Sequence, residues 1–376
     1  MGWAVLWKRG SMEYRKRRLQ NMASLREERE AGDEGSAWGK DSAWLADKDN
    51  AGRGHHGGVR TDLALEAREF AVQADGVPGL AMDVEKIEAM TVSRIHVSSE
   101  EASRRIGKAP GHYTTIEVPE LRHKDPELQE RVAGQFAEEM KRFLHIAEDA
   151  TVLVVGLGNW NVTPDALGPL VIEDLFVTRH LFSVIPDALE KGFRSVCGLA
   201  PGVLGLTGIE TSEVVMGVVQ RVRPDVVIAV DALAARSIDR VNTTIQIADS
   251  GIHPGAGVGN RRKSLTKETL GVDVISVGVP TVVDAATIAS DAMDLLLREL
   301  DARVPGNAAG KILNQFTFEQ KRALISEVLQ PLGNNLMVTP KEIDEFVQDA
   351  AHLVAIGLNV ALHDAMTLDD ALSFTH

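Results

Sequence analysis

Two aspartates carry the most legible chemistry in this sequence of 376 residues. Asp165 stands in Thr163-Pro-Asp-Ala-Leu-Gly168, just behind the run Val152-Leu-Val-Val-Gly-Leu-Gly-Asn159, and Asp231 directly follows Val226-Val-Ile-Ala-Val230. Both apolar runs lack polar alternation, as strands buried on two faces do, and in open α/β sheets sites form beyond the carboxyl ends of such strands. If the strands are neighbours, the carboxylates can meet across one crevice. Such a pair shares a proton: one member stays ionised and activates water, while the other protonates a leaving amide nitrogen. Each also has a structural reading, since Asp165 suits the start of a helix near Leu167 and Asp231 could cap a helix or pair with Arg236.

The neighbouring motifs carry less. Gly156-Leu-Gly158-Asn159 opens like a dinucleotide fingerprint, but Asn161 occupies the third glycine position and the fingerprint fails. No Walker sequence offers a phosphate cradle, so no cofactor is called for. Gly158 and Asn159 are read instead as shaping the loop that presents Asp165. Asp249-Ser-Gly251 matches the triplet of pepsin-like aspartic proteases but occurs once and outside an all-β setting, so Ser250-Gly251 reads as a turn. With His253 and the glycines Gly255, Gly257 and Gly259 it predicts a mobile loop, making Asp249 and His253 candidates to line the site. A metal set of Asp165, Asp231 and His253 is chemically suitable but has no diagnostic spacing and ranks second. The single cysteine, Cys197, sits in an apolar Val-Cys-Gly-Leu context and reads as a buried small hydrophobe.

Positioning the aspartates requires strands and helices in alternation, and the region 151–300 has that pattern. It predicts strands at 152–156, 196–199, 226–230, 244–248 and 274–277, with helices near 167–181, 212–223 and 283–300. The fold class is therefore α/β, a mainly parallel sheet sandwiched by helices. Upstream, 87–97 and 112–118 add N-terminal strands, and 125–147 sets Leu128, Val132, Phe136, Met140, Phe143 and Leu144 at helical spacing. Helices at 320–329 and from Lys341 to about Leu362 close the chain, Thr339-Pro340 marking a helix start. Residues 1–59 differ, holding four of the five tryptophans, mixed charges and the tract Ala51-Gly-Arg-Gly-His-His-Gly-Gly58, with little from which to build a core. At Thr61 or Asp62 the pattern changes to an N-capped short helix.

Charge narrows the classes further. The net charge of -14 divides into +2 for residues 1–62 and -16 for residues 63–376. An acidic body repels a phosphate backbone and argues against direct nucleic-acid binding. No window approaches the roughly 18 consecutive apolar residues of a membrane span, and the N-terminal apolar run precedes its basic cluster, the reverse of a secretory signal. The expectation is a cytoplasmic protein.

Several longer segments act together: Thr163-Pro-Asp-Ala-Leu-Gly-Pro169, Pro201-Gly-Val-Leu-Gly-Leu-Thr-Gly-Ile-Glu-Thr-Ser212, Val230-Asp-Ala-Leu-Ala-Ala-Arg-Ser237, Asp249-Ser-Gly-Ile-His-Pro-Gly255, Pro280-Thr-Val-Val-Asp284 and Asn335-Leu-Met-Val-Thr-Pro-Lys341. Through them the chain, from about residue 59 to its end, resembles the germination protease family of spore-forming bacteria. The resemblance implies an endopeptidase that initiates degradation of small acid-soluble spore proteins in the spore core, made as an inactive homotetrameric zymogen. It implies a fold like that of the hydrogenase maturation proteases. It also implies an aspartic-type site at the matching positions Asp165 and Asp231. The kinship with maturation proteases keeps metal-dependent hydrolysis as an alternative, and a non-catalytic spore-protein binding module is the rival outside enzymes.

The family matures by cutting a segment that resembles its substrate, and Thr61-Asp-Leu-Ala-Leu-Glu66 matches that pattern. The resemblance thus makes residues 1–62 a propeptide, partly disordered, and 63–376 a single peptidase domain. Two departures stand out: the propeptide is long for the family, and the connection at 301–315 is short. Cleavage is expected between Asp62 and Leu63, so N-terminal sequencing of the matured protein should read Leu63-Ala-Leu-Glu66.

Overall fold

The computed structural model describes residues 61–71, 77–184, 191–253, 263–303, 318–329 and 336–375. Expectations for residues 1–60, for the glycines within 254–262 and for the connection beyond residue 303 lie outside these. In chain order the elements begin with α1 (Ala64–Ala71), the hairpin β1 (Leu80–Ile87) and β2 (Met90–Val97), α2 (Glu100–Ile106), β3 (Gly111–Glu117) and α3 (Pro126–Phe143). Then come β4 (Thr151–Gly156), α4 (Leu167–Asp174), α5 (Arg179–Val184), β5 (Ser195–Leu199), α6 (Leu204–Thr207), α7 (Thr211–Val222), β6 (Val226–Ala235) and β7 (Thr244–Ala248). The last are α8 (Lys267–Leu270), β8 (Asp273–Asp284), α9 (Ala285–Arg303), α10 (Phe318–Leu329), β9 (Met337–Val338), α11 (Ile343–Leu362) and α12 (Leu368–Thr375).

The unbroken apolar runs serve two cores at once. Along β4, Val152 and Val154 join one core while Leu153 and Val155 join the other; along β6, Val226, Ile228 and Val230 alternate in the same way with Val227 and Ala229. The first core is covered by α3, α4 and α11, which contribute Phe136, Leu167 and Val354, and the second by α7 and α8, which contribute Val215 and Leu270. Each fully buried Val or Leu is worth roughly 1.5–3 kcal/mol, so a strand of this composition is stable only between two layers.

Among the described residues one sheet runs in the order β1-β2-β3-β7-β8-β6-β4-β5, with β9 on β8. Its core, β5, β4, β6 and β8, is parallel, and β7, β3, β2 and β1 extend it antiparallel. This is the α/β arrangement with additional N-terminal strands that the sequence predicts.

Several boundaries move. The strand read at 87–97 is a hairpin whose first arm starts at Leu80; β1 presents mostly exposed residues as an edge strand, so its sequence carries no buried stripe. β6 continues five residues past Val230, and β8 runs to Asp284, because the two pair with each other beyond the end of β4. The helix expected over 167–181 breaks at Leu175, which adopts an extended conformation. There the buried Asn359 of α11 accepts from the Phe176 N–H (2.8 Å) and donates to the Asp174 carbonyl (3.2 Å), replacing bonds a continuous helix would make.

A second buried polar group closes α11. His363 is fully buried; its Nδ1 accepts from the Arg194 backbone N–H at 3.2 Å and its Nε2 faces the Phe176 carbonyl at 3.4 Å. Burial holds the imidazole neutral and lowers its pKa to about 4. The folded state therefore binds fewer protons than the unfolded chain, whose histidine titrates near 6.5. The stabilisation is complete above that value and is lost as pH falls toward 4. Between pH 7.5 and 4.5, denaturant titrations should show His363→Gln removing about 2.5 kcal/mol of the wild-type pH dependence.

Candidate active site

The site grows from the end of β4. The Leu157 N–H donates to the Val230 carbonyl at 2.8 Å, extending the parallel ladder one step past Gly156. The chain then turns at Gly158 (φ +118°), and the Asn159 side chain accepts from the Asn161 N–H at 3.0 Å. A 3-10 turn, Thr163–Asp165, follows before α4 begins. The loop closes on itself: the Asn159 N–H donates to the Asp165 carbonyl at 3.0 Å and the Asp165 N–H to the Val162 carbonyl at 2.8 Å.

Two glycines make this closure possible. A Cβ on Gly158 would overlap the Asp165 carbonyl oxygen and come within 3.4 Å of the carboxyl carbon of Asp165. A Cβ on Gly168 would overlap the backbone of Leu157 and lie 2.6 Å from the Val230 carbonyl oxygen. The first turn of α4 thus sits directly on the end of β4 and on Val230 within β6. Asp165 stands three residues before Gly168 in the chain, and Asp231 directly follows Val230. A further tie runs from β8, where the Thr281 hydroxyl donates to the Pro164 carbonyl at 2.7 Å.

Asp231 is buried at 6% exposure, and its Oδ1 accepts from the Ala232 N–H at 3.0 Å. It stands at the first position of β6 that β4 no longer covers, not at the strand's end as the sequence suggested. It pairs with Gly278 of β8, which pairs in turn with Gln246 of β7.

The predicted processing segment lies on the same strand. The Asp62 N–H donates to the Ala234 carbonyl (2.9 Å), and the Ala234 N–H donates back to Asp62 Oδ2 (2.8 Å). Leu63 is fully buried in a cluster with Leu233, Ala235, Val241 and Val283. Glu66, buried too, accepts from the Arg236 and Ser237 N–H groups at 2.7 and 2.9 Å, and from the Thr61 hydroxyl, and pairs with Arg240 at 3.4 Å.

Other candidates lie elsewhere. Asp249 follows β7, which runs against β8, so it emerges toward the opposite end of the strands from Asp231. There it accepts from the His112 N–H (2.7 Å) and pairs with His112 Nδ1 (2.8 Å), on the wall of a cavity of about 920 Å3 that Asp225 and Asp273 also line. His253, four residues on and exposed, follows Ile252, which bridges to Leu265. The antiparallel course of β7, invisible in its own residues, takes both away from the aspartates. Among the described residues no three His, Cys, Asp or Glu side chains are grouped to hold a metal ion, the set Asp165, Asp231 and His253 included. The Cys197 thiol faces the Val152 carbonyl at 3.5 Å, and burial pushes its pKa up, so it is no nucleophile.

A family model described as germination protease matches residues 60–311 and 307–375. The chain belongs to the germination protease family. Relatives include the germination proteases of Bacillus cereus strain AH187, 48% identical over 357 residues, and of Bacillus mycoides strain KBAB4, 47% identical over 357 residues. That of Bacillus anthracis strain CDC 684 is 47% identical over 358 residues; each match covers 85% of this chain and 97% of the relative. As a germination protease the chain is a peptidase acting on protein substrates. No described helix is long and apolar enough to cross a membrane.

Sequence reasoning missed Lys108 and Gln246, which reach Thr61, Asp62 and Ala64 through space. Gln246 gives a signal in retrospect, a polar amide inside the all-buried strand Thr244-Ile-Gln-Ile-Ala248, whereas Lys108 gives none. Gly158→Ala should cost more than about 2 kcal/mol in urea denaturation, because the left-handed backbone and the Asp165 overlap both oppose a side chain. Protein hydrolysis should fall with it even where the fold survives.

Proposed function

We propose that this germination protease is a self-processing endopeptidase in which Asp165 and Asp231 share the acid and base roles. The observation that supports the reading is the Gly168 contact on Leu157 and Val230, which brings the helix that follows Asp165 against the strand residue just before Asp231. An ionised carboxylate takes a proton from water, the resulting hydroxide adds to the scissile carbonyl, and the protonated partner supplies the leaving nitrogen. The glycine turn at Gly158 keeps Asp165 from drifting away from that edge.

Small acid-soluble spore proteins are the proposed substrates, cut in the spore core as germination begins, and the acidic chain is suited to proteins rather than to DNA. Cleavage between Asp62 and Leu63 is the proposed maturation step, supported by the hydrogen bonding of this segment to the strand that carries Asp231. Assembly as a homotetramer is supported by the exposed Leu295 and Leu296 of α9 and the exposed Leu324 and Val328 of α10, apolar surface that association would cover.

Asp165→Asn and Asp231→Asn should each slow both self-processing and cleavage of a small acid-soluble spore protein by about 10³-fold, with thermal unfolding near that of the wild type. Near-normal hydrolysis in either variant removes that residue from the mechanism. Exhaustive chelation should leave the rate unchanged; loss and recovery with one metal ion would favour metal-assisted hydrolysis.

A further inference from the structure

The bond proposed for self-processing is held by more than its neighbours in sequence. Its carbonyl oxygen, that of Asp62, receives two side-chain donors: Lys108 Nζ at 2.8 Å and Gln246 Nε2 at 3.2 Å. Lys108 also donates to the Thr61 carbonyl at 3.1 Å. On the leaving side, the Leu63 N–H donates to the Thr61 hydroxyl at 3.0 Å, and Gln246 Oε1 accepts from the Ala64 N–H at 2.7 Å. One peptide bond is thus gripped at its oxygen, at its nitrogen and one residue beyond.

The sheet register sets Gln246 in one row with Asp231, two strands away. Gln246 pairs with Gly278, and Gly278 with Asp231, so the three form one row across β7, β8 and β6. Their neighbours Ile245 and Ile247, Val277 and Val279, and Val230 and Ala232 all point into or pack against the first core. Strand alternation therefore turns Gln246, Gly278 and Asp231 to the opposite face. The middle member has no side chain, which leaves a gap between its two neighbours in the row. In this structure the Leu233 side chain fills that gap: a Cβ on Gly278 would come within 2.5 Å of Leu233 Cγ.

We propose that Lys108 and Gln246 polarise the Asp62 carbonyl for self-processing and stabilise the oxyanion that forms on it. This rests on the reading that places the cut between Asp62 and Leu63. Water, once Leu233 swings off Gly278, adds its oxygen to the Asp62 carbonyl carbon and yields a proton to the aspartate pair. The negative charge develops on the oxygen already bonded to Lys108 Nζ and Gln246 Nε2, where preorganised donors act most strongly. The C–N bond then breaks, the Leu63 nitrogen takes up the proton from the pair, and the new carboxylic acid on Asp62 releases its own proton to the freed amine, leaving a carboxylate and an ammonium. The role requires Lys108 as an ammonium. Burial lowers its pKa, opposed by the facing carboxylates of Asp62 and Glu66, so the rate should decline as pH rises through the lowered value.

The test follows conversion of full-length protein by intact mass across pH 5 to 10. Lys108→Met should slow conversion about 100-fold, the usual scale for losing one oxyanion donor. Lys108→Arg should recover most of the rate and abolish the alkaline decline. Gln246→Glu, close in shape but with an acceptor facing the carbonyl, should slow conversion as well, and guards against misfolding of the Lys108→Met variant. Conversion of Lys108→Met at or above the wild-type rate would show a clamp rather than an oxyanion donor and overturn the proposal. Equal slowing in Lys108→Met and Lys108→Arg, with the alkaline decline retained, would overturn it too. A wild-type product beginning anywhere but Leu63 instead removes the processing-site reading on which the proposal stands.

Discussion

The seating of the first turn of α4 on the end of β4 and on Val230 of β6 is the contact on which the site depends. Backbone meets backbone there, and Gly168 is tolerated only because it has no Cβ to collide with Leu157 or the Val230 carbonyl. The spacing of that contact sets where the 3-10 turn before α4 falls, and with it the position of Asp165. It also ends the pairing of β4 with β6, so that the next residue, Asp231, is the first on its strand left uncovered on that side. Close packing thus ends the β4–β6 ladder one residue before Asp231, with the turn that ends at Asp165 leading into the same contact.

The segment ahead of α1 is anchored by a different kind of interaction. Glu66, at 1% exposure, is a buried acid with two backbone donors, a hydroxyl and Arg240 around it. Charges taken out of water to this extent are tolerable only when so surrounded, and removing one member of such a set typically costs about 3–5 kcal/mol. Together with the burial of Leu63, this explains why the proposed cleavage point lies folded against β6 rather than in a free linker. A bond in a loose linker needs only access; one held in this way needs specific donors, a role open to Lys108 and Gln246.

Much of the architecture was legible because burial leaves marks in composition. Unbroken apolar runs at β4 and β6 announced strands covered on two faces, and the 3.6-residue stripe from Leu128 to Met140 announced α3. Edge strand β1 left no such mark, since little of it is buried. The break in the helix after Asp174 was also hidden, because the group that substitutes for its hydrogen bonds, Asn359, is supplied from α11 far along the chain. Asp249 misled because its triplet described a local turn correctly while saying nothing about the direction of β7.

The sequence by itself determined the α/β class, the two aspartates with their apolar strands, the glycines beside Asp165 and the family, since each is written in a local pattern of residue types. Tertiary structure alone decided that Asp231 lies within a strand rather than at its end. Tertiary structure alone also decided that Asp249 emerges toward the other end of the strands, and that Lys108 and Gln246 converge on the Asp62 carbonyl from 46 and 184 residues away. The physical reason is common to all three. Hydrophobic periodicity reports which side of an element is buried, but strand order and direction are set by packing between distant elements, and side chains brought together that way share no spacing to read.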